Sequence, residues 1–95
     1  MDQTQTYGRP MAGKSVTVAY TGTAGTTAAL PAETNAVRVV ATTDCFIEIG
    51  LSPTAVVNTG MYLPAQTPEY FQAQPNCKVS AIQLSAGGSI YVTPI

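Results

Sequence analysis

The chain contains no histidine. That removes the usual general base of Ser/His and Cys/His pairs and the commonest metal ligand. Charge is also scarce: 9 % of residues are Asp, Glu, Lys or Arg, against about 25 % in an average soluble domain. The four cations (Arg9, Lys14, Arg38 and Lys78) are scattered and the formal net charge is −1. No basic stripe is available to neutralise several phosphates, so nucleic acid is not an expected partner. No apolar run approaches the ~18 residues of a membrane-spanning helix, so no membrane partner is expected either. The opening MDQTQTYGRP is polar and carries Asp2, unlike a signal peptide, which points to synthesis in a cytoplasm. Cys45 and Cys77 are the only cysteines and form no C-x-x-C, a poor metal site. Two buried free thiols are the expected state, with a disulfide as the alternative. No cofactor is expected.

What is present is strand-forming sequence. At 95 residues with 45 % hydrophobic content, the chain is long enough for one modest core and for no second domain. Thr and Val together supply 23 residues, and both favour pleated structure. KSVTVAY (14–20) alternates Val16, Val18 and Tyr20 against Ser15, Thr17 and Ala19, the period-2 pattern of a half-buried strand. AVRVVAT (36–42) sets Val37, Val39 and Ala41 opposite Arg38. CFIEI (45–49) sets Cys45, Ile47 and Ile49 opposite Phe46 and Glu48. MYL (61–63) and EYFQ (69–72) flank Pro64 and Pro68 and read as short or edge strands. CKVSAIQL (77–84) and SIYVT (89–93) follow, joined by the turn SAGG. TGTAGTT (21–27) reads as a Gly/Thr turn region. Seven or eight short strands separated by turns predict an all-β domain over 14–95, a small antiparallel β-sandwich or jelly-roll-like barrel. Residues 1–13 lack apolar periodicity and read as an extended N-terminal arm.

LPAETNAVRV (30–39) is echoed by LPAQTPEYFQ (63–72) at an offset of 33 residues. The echo fits either a repeated turn–strand unit or a turn sequence used twice.

One stretch suggests chemistry. Residues 8–15, GRPMAGKS, match the phosphate-binding loop G-x-x-x-x-G-K-[ST] at every fixed position. That loop needs a buried strand before it and a helix after it, so that the helix N-terminus faces the phosphates. Here seven polar residues precede Gly8, and the β-branched VTVAY follows Ser15. A hinge between arm and first strand is the expected use. A Lys14–Ser15 dyad is equally unpromising, because adjacent strand residues point to opposite faces. Asp44 and Glu48, four residues apart on a strand, stand about 13 Å from each other, too far for a glycosidase pair. The chain is not expected to be an enzyme.

The remaining candidates are interaction residues. A charge-poor surface suits a chain that packs against other protein, although a neutral Thr-rich monomer has the same composition. Tyr7, Arg9 and Met11 on the arm, and Tyr62, Tyr70 and Phe71 around the double-proline segment, are candidate interface residues. Arg38 and Glu48, on outward faces of neighbouring strands, are a candidate ion pair within or between subunits.

AVRVVATTDCFIEIGLSPTA, MYLPAQTPEYF and CKVSAIQLSAGGSIYVT together resemble small all-β virion proteins of tailed bacteriophages. The resemblance covers about 60 residues and rests on strand order, the G-x-x-P-T-A turn, the L-P-A…P-E-Y-F segment and the G-G hairpin. It implies a decoration (cement) protein on the outside of the head, binding the major capsid protein. It also implies a homo-oligomer, a trimer before a dimer, with an arm reaching over neighbours. It carries over no binding residue. The alternative is a tail-, fibre- or spike-associated β-domain that binds a host-surface glycan.

Overall fold

A computed structural model describes residues 10–95. They form eight strands: β1 (Val16–Tyr20), β2 (Gly25–Thr26), β3 (Ala36–Ala41), β4 (Cys45–Gly50), β5 (Met61–Leu63), β6 (Glu69–Gln72), β7 (Lys78–Gln83) and β8 (Gly88–Pro94). No helix occurs among the described residues.

Two four-stranded sheets face each other, with orders β1-β8-β3-β6 and β2-β7-β4-β5. The antiparallel pairs β4·β5, β3·β6, β2·β7 and β1·β8 are those of one long hairpin. Its tip is the loop of residues 51–60, and its open ends are the two chain termini. Rolling that hairpin up brings β8 beside β3 and β7 beside β4, which completes both sheets. This is the winding of an eight-stranded jelly roll, the barrel-like form of the sandwich expected from the sequence.

The alternations place the side chains as expected. Val37, Val39 and Ala41 on β3, Cys45 and Ile47 on β4, Val79 and Ala81 on β7, and Ile90 and Val92 on β8 are buried between the sheets. Val16, Val18 and Phe71 close over that cluster from the first sheet. Tyr20 ends β1 by turning its ring into the core. Its hydroxyl donates to the Thr43 carbonyl at 2.8 Å, and the Thr43 amide donates back at 3.3 Å. A buried phenol is thus satisfied by the β3–β4 loop rather than by solvent.

One expectation is corrected. TGTAGTT is not turn throughout, because Gly25 and Thr26 form β2 against Ala81 and Ser80 of β7. A two-residue strand of small residues has no alternation to detect. What defines it is the sharp corner after β1, where a Cβ on Gly25 would run into the Ala19 carbonyl oxygen. The echo has a mechanical meaning. Leu30 and Leu63 are both buried, each followed by a Pro-Ala turn leading into β3 or β6. Those strands are hydrogen-bonded partners, Ala36 opposite Gln72 and Val39 opposite Glu69. A shift of 33 residues maps that ladder onto itself, as a local two-fold would.

Among the described residues, one buried side-chain polar group lacks a partner: the Thr34 hydroxyl is fully buried and makes no hydrogen bond. Thr34→Val keeps the branched shape and removes the orphaned oxygen. It is expected to stabilise the fold by about 1 kcal/mol, raising the melting temperature by roughly 4–8 °C. A fall in thermal denaturation would show that the hydroxyl is satisfied after all.

Candidate functional site

The phosphate-loop pattern is a turn. Tyr7, Gly8 and Arg9 lie outside the described residues. From Pro10 the chain is held against the domain, the Met11 amide donating to the Pro94 carbonyl at 2.9 Å. The Lys14 amide donates to the Met11 carbonyl at 3.2 Å, and Gly13 has φ 73°. Glycine at the third position of such a turn is the type II arrangement. The Ser15 hydroxyl is hydrogen-bonded to that of Thr93 at 2.9 Å, and β1 begins at the next residue. The helix N-terminus on which phosphate binding depends does not follow this loop. Met11, a candidate interface residue, is half-buried and tied by its backbone to its own domain.

Both thiols are free and fully buried. Cys45 pairs with Gln83 at one end of the β4·β7 ladder, whereas Cys77 precedes Lys78 at the other end, opposite Gly50. Five residues of strand separate these ends by about 17 Å, far beyond disulfide reach. Burial lifts both thiols above their ordinary value of 9.0. Between that value and the higher folded one, the native state holds protons that the unfolded chain has lost, so stability falls as pH rises. We expect a stability plateau at neutral pH and a decline above about pH 9. Cys45→Ala/Cys77→Ala should flatten the decline, leaving a residue from buried Tyr20, also raised by burial. Urea midpoints measured against pH check this; an unchanged slope in the double variant would remove the thiols from the explanation. Among the described residues, no three His, Cys, Asp or Glu side chains gather where they could hold a metal.

The carboxylates do structural work. Asp44 Oδ1 accepts the Ala65 amide at 2.8 Å, pinning the segment after β5. Partial desolvation, followed by a hydrogen bond to the Asp44 carboxylate and its charge, raises the Tyr62 phenol above 10.0. Arg38 and Glu48 do not face each other within one chain. β3 and β4 follow each other in sequence but belong to different sheets, so their outward side chains leave opposite faces of the sandwich.

The aromatic candidates are likewise divided. Tyr62 stands on the outer face of the second sheet, its ring 5.7 Å from that of Phe46. Tyr70, 50 % exposed, stands on the outer face of the first sheet, opposite Arg38. Phe71 points inward and packs against the core.

What gathers around Tyr62 is different from the expected cluster. Loop 51–60 crosses the outer face of the second sheet, burying Pro53 and Ala55. The Ala55 amide donates to the Ser80 hydroxyl at 2.9 Å, which satisfies an otherwise covered polar group on β7. Asn58, with φ 70°, and Gly60 then bring the chain back to β4, the Gly60 amide donating to the Val56 carbonyl at 2.9 Å. This leaves Leu51 (59 %), Val56 (49 %), Val57, Met61 and Tyr62 exposed on one loop-and-strand unit. Sequence reasoning missed the first four, because short apolar stretches ordinarily read as core.

Beside that unit the sandwich is open. β1 and β2 are joined by a tight corner on one side, whereas β5 and β6 end their sheets on the other. Between β5 and β6 lies a groove of about 460 Å³, lined by Ile47, Glu48, Ile49, Met61, Phe71 and Gln72, with Thr59 and Gly60 at its rim. By register, Met61 faces inward opposite buried Ile47, yet it is 43 % exposed. The groove therefore displays side chains from the inner face of the sandwich.

Compared with known protein families, with curated proteins and with solved structures, the chain matches none of them.

Proposed function

We propose that this chain is a structural subunit of a bacteriophage virion. It is a decoration protein that binds the major capsid protein on the outside of the head and stabilises the boundaries between capsomers. The observation that carries the reading is the group of exposed apolar side chains Leu51, Val56, Val57, Met61 and Tyr62, on a chain with 9 % charged residues. Exposed apolar residues grouped in this way mark a surface that other protein covers. The edge strand β5 adds strand backbone that a partner can extend by strand addition. The sequence resemblance to phage virion proteins supplies the biological setting. The jelly roll agrees with that setting without deciding it, since the same winding also serves lectins and enzymes. The subunit acts as a homo-oligomer, a trimer in preference to a dimer, and needs no cofactor.

Quantitative mass analysis of purified particles tests the reading. On the order of hundreds of copies per particle are expected for a protein that follows head symmetry. Roughly a dozen copies or fewer, fractionating with tails, would overturn it in favour of the glycan-binding tail or fibre domain.

A further inference from the structure

We propose that the outer face of the first sheet binds an acidic glycan, a saccharide that carries isolated carboxylates. Tyr91 is the platform under a sugar ring, and Arg38 is the partner of the carboxylate. This face lies on the other side of the sandwich from loop 51–60, so the inference goes beyond the reading above and does not rest on it.

Strand alternation and register assemble the site. Thr17 stands opposite Tyr91 and Tyr91 opposite Val40, one row across β1, β8 and β3. Thr93 and Arg38 form the next row, and the Thr93 hydroxyl is hydrogen-bonded to that of Ser15 at 2.9 Å. Tyr91 is 50 % exposed, whereas Arg38 and Val40 are half-buried. Arg38 is the diagonal neighbour of Tyr91 on the adjoining strand, which sets their backbones about 7–8 Å apart. A sugar ring lying on Tyr91 therefore brings a ring substituent within reach of the guanidinium. The π face of the phenol attracts the C–H side of a sugar. The Thr17 hydroxyl donates to the Ile90 carbonyl at 2.7 Å, and its oxygen keeps lone pairs for a sugar hydroxyl.

Charge selects the ligand. Of the outward-facing residues of β1, β8, β3 and β6, Arg38 alone is charged. Glu69 of β6 stands opposite buried Val39 and belongs to the inward alternation. Among the described residues Arg38 makes no ion pair. Its planar fork of donors is matched bidentately by a carboxylate, so the face favours an anion. A nucleic acid carries a phosphate at every unit and is held by several cations together. A saccharide with one carboxylate among neutral units needs only one. The rest of the face is ring, methyl and hydroxyl, which suits the uncharged remainder of such a chain.

The test is a titration of the full chain followed by backbone amide NMR shifts. The acidic probes are a hyaluronan hexasaccharide, a mannuronate hexamer and sialyllactose. Mannohexaose is the neutral control, and hexaglutamate is the acidic peptide. At least one acidic saccharide is expected to shift the amides of Thr17, Arg38 and Tyr91 together and saturably. Arg38→Gln and Tyr91→Thr are each expected to weaken that binding at least about tenfold, with urea midpoints near that of the parent. No response on this face to any acidic saccharide overturns the proposal, as does an equal response to mannohexaose. A stronger response to hexaglutamate also overturns it and makes the face a site for acidic peptide. Copy number on particles enters none of these measurements, so the glycan site and the head placement fail independently.

Discussion

Replacing Gly25 with alanine is expected to lower the free energy of unfolding by about 3 kcal/mol, the upper range for forcing an atom into a packed site. The new Cβ would run into the Ala19 carbonyl oxygen and would also crowd Val18 Cγ2 at 3.2 Å. Backbone cannot swing aside as a flexible side chain can. The clash must therefore be relieved by moving β1 or β2, and β2 has only two ladder residues with which to resist. Since β1 and β2 lie in different sheets, widening this corner also loosens the packing of Val18 and Tyr20 between them. For a domain of this size the loss corresponds to roughly 12–24 °C in melting temperature. Gly50 is the internal comparison. It ends β4 with nothing within 4 Å of the would-be Cβ and has no positive φ. Gly50→Ala should leave stability unchanged or raise it by some tenths of a kcal/mol through the unfolded chain. Urea denaturation of the two variants side by side is decisive. Equal effects would mean that the β1–β2 corner is not the tight element described here.

The same pair of glycines shows how far the sequence could be read. Both looked like turn punctuation, and only the three-dimensional neighbours separate them. Strands with an alternating apolar set (β1, β3, β4 and β8) were legible because one face of each is buried and the pattern records that directly. β5 and β6 were legible as edges because Pro64 and Pro68 bound them. Sheet membership was not legible. Arg38 and Glu48, close in sequence on strands of opposite sheets, point away from each other, and Tyr62 and Tyr70 part for the same reason. Register, which no local pattern encodes, also decides that Cys45 and Cys77 lie at opposite ends of one ladder. The exposed apolar face was the least legible part. AVV (55–57) looks like core by composition. Yet Ala55 is buried while Val56 and Val57 are exposed, because the loop lies flat on a sheet face and only one of its sides can be covered.

That loop leads to the second large effect. Leu51→Glu/Val56→Glu is expected to fold normally and to lose partner binding. Both side chains stand on loop 51–60 and are half exposed or more, at 59 % and 49 %, so the charges stay in water and the free subunit loses little apolar burial. In a bound state the same two positions would carry carboxylates into a desolvated apolar contact, where an unpaired charge costs several kcal/mol. Losing even 2–4 kcal/mol of binding free energy weakens association by about 30- to 1,000-fold. The control is Tyr91→Glu on the outer face of the first sheet. Tyr91 is 50 % exposed but stands between Thr17 and Val40 of the neighbouring strands, away from the loop. It introduces one charge at equal exposure on the opposite face and should change binding little. Binding of each variant to particles stripped of the protein, alongside its urea midpoint, separates loss of contact from loss of fold. If Tyr91→Glu abolishes binding and the double variant does not, the binding face is the first sheet. Loop 51–60, through Pro53 and Ala55, would then serve only to cover Ser80 and the second sheet.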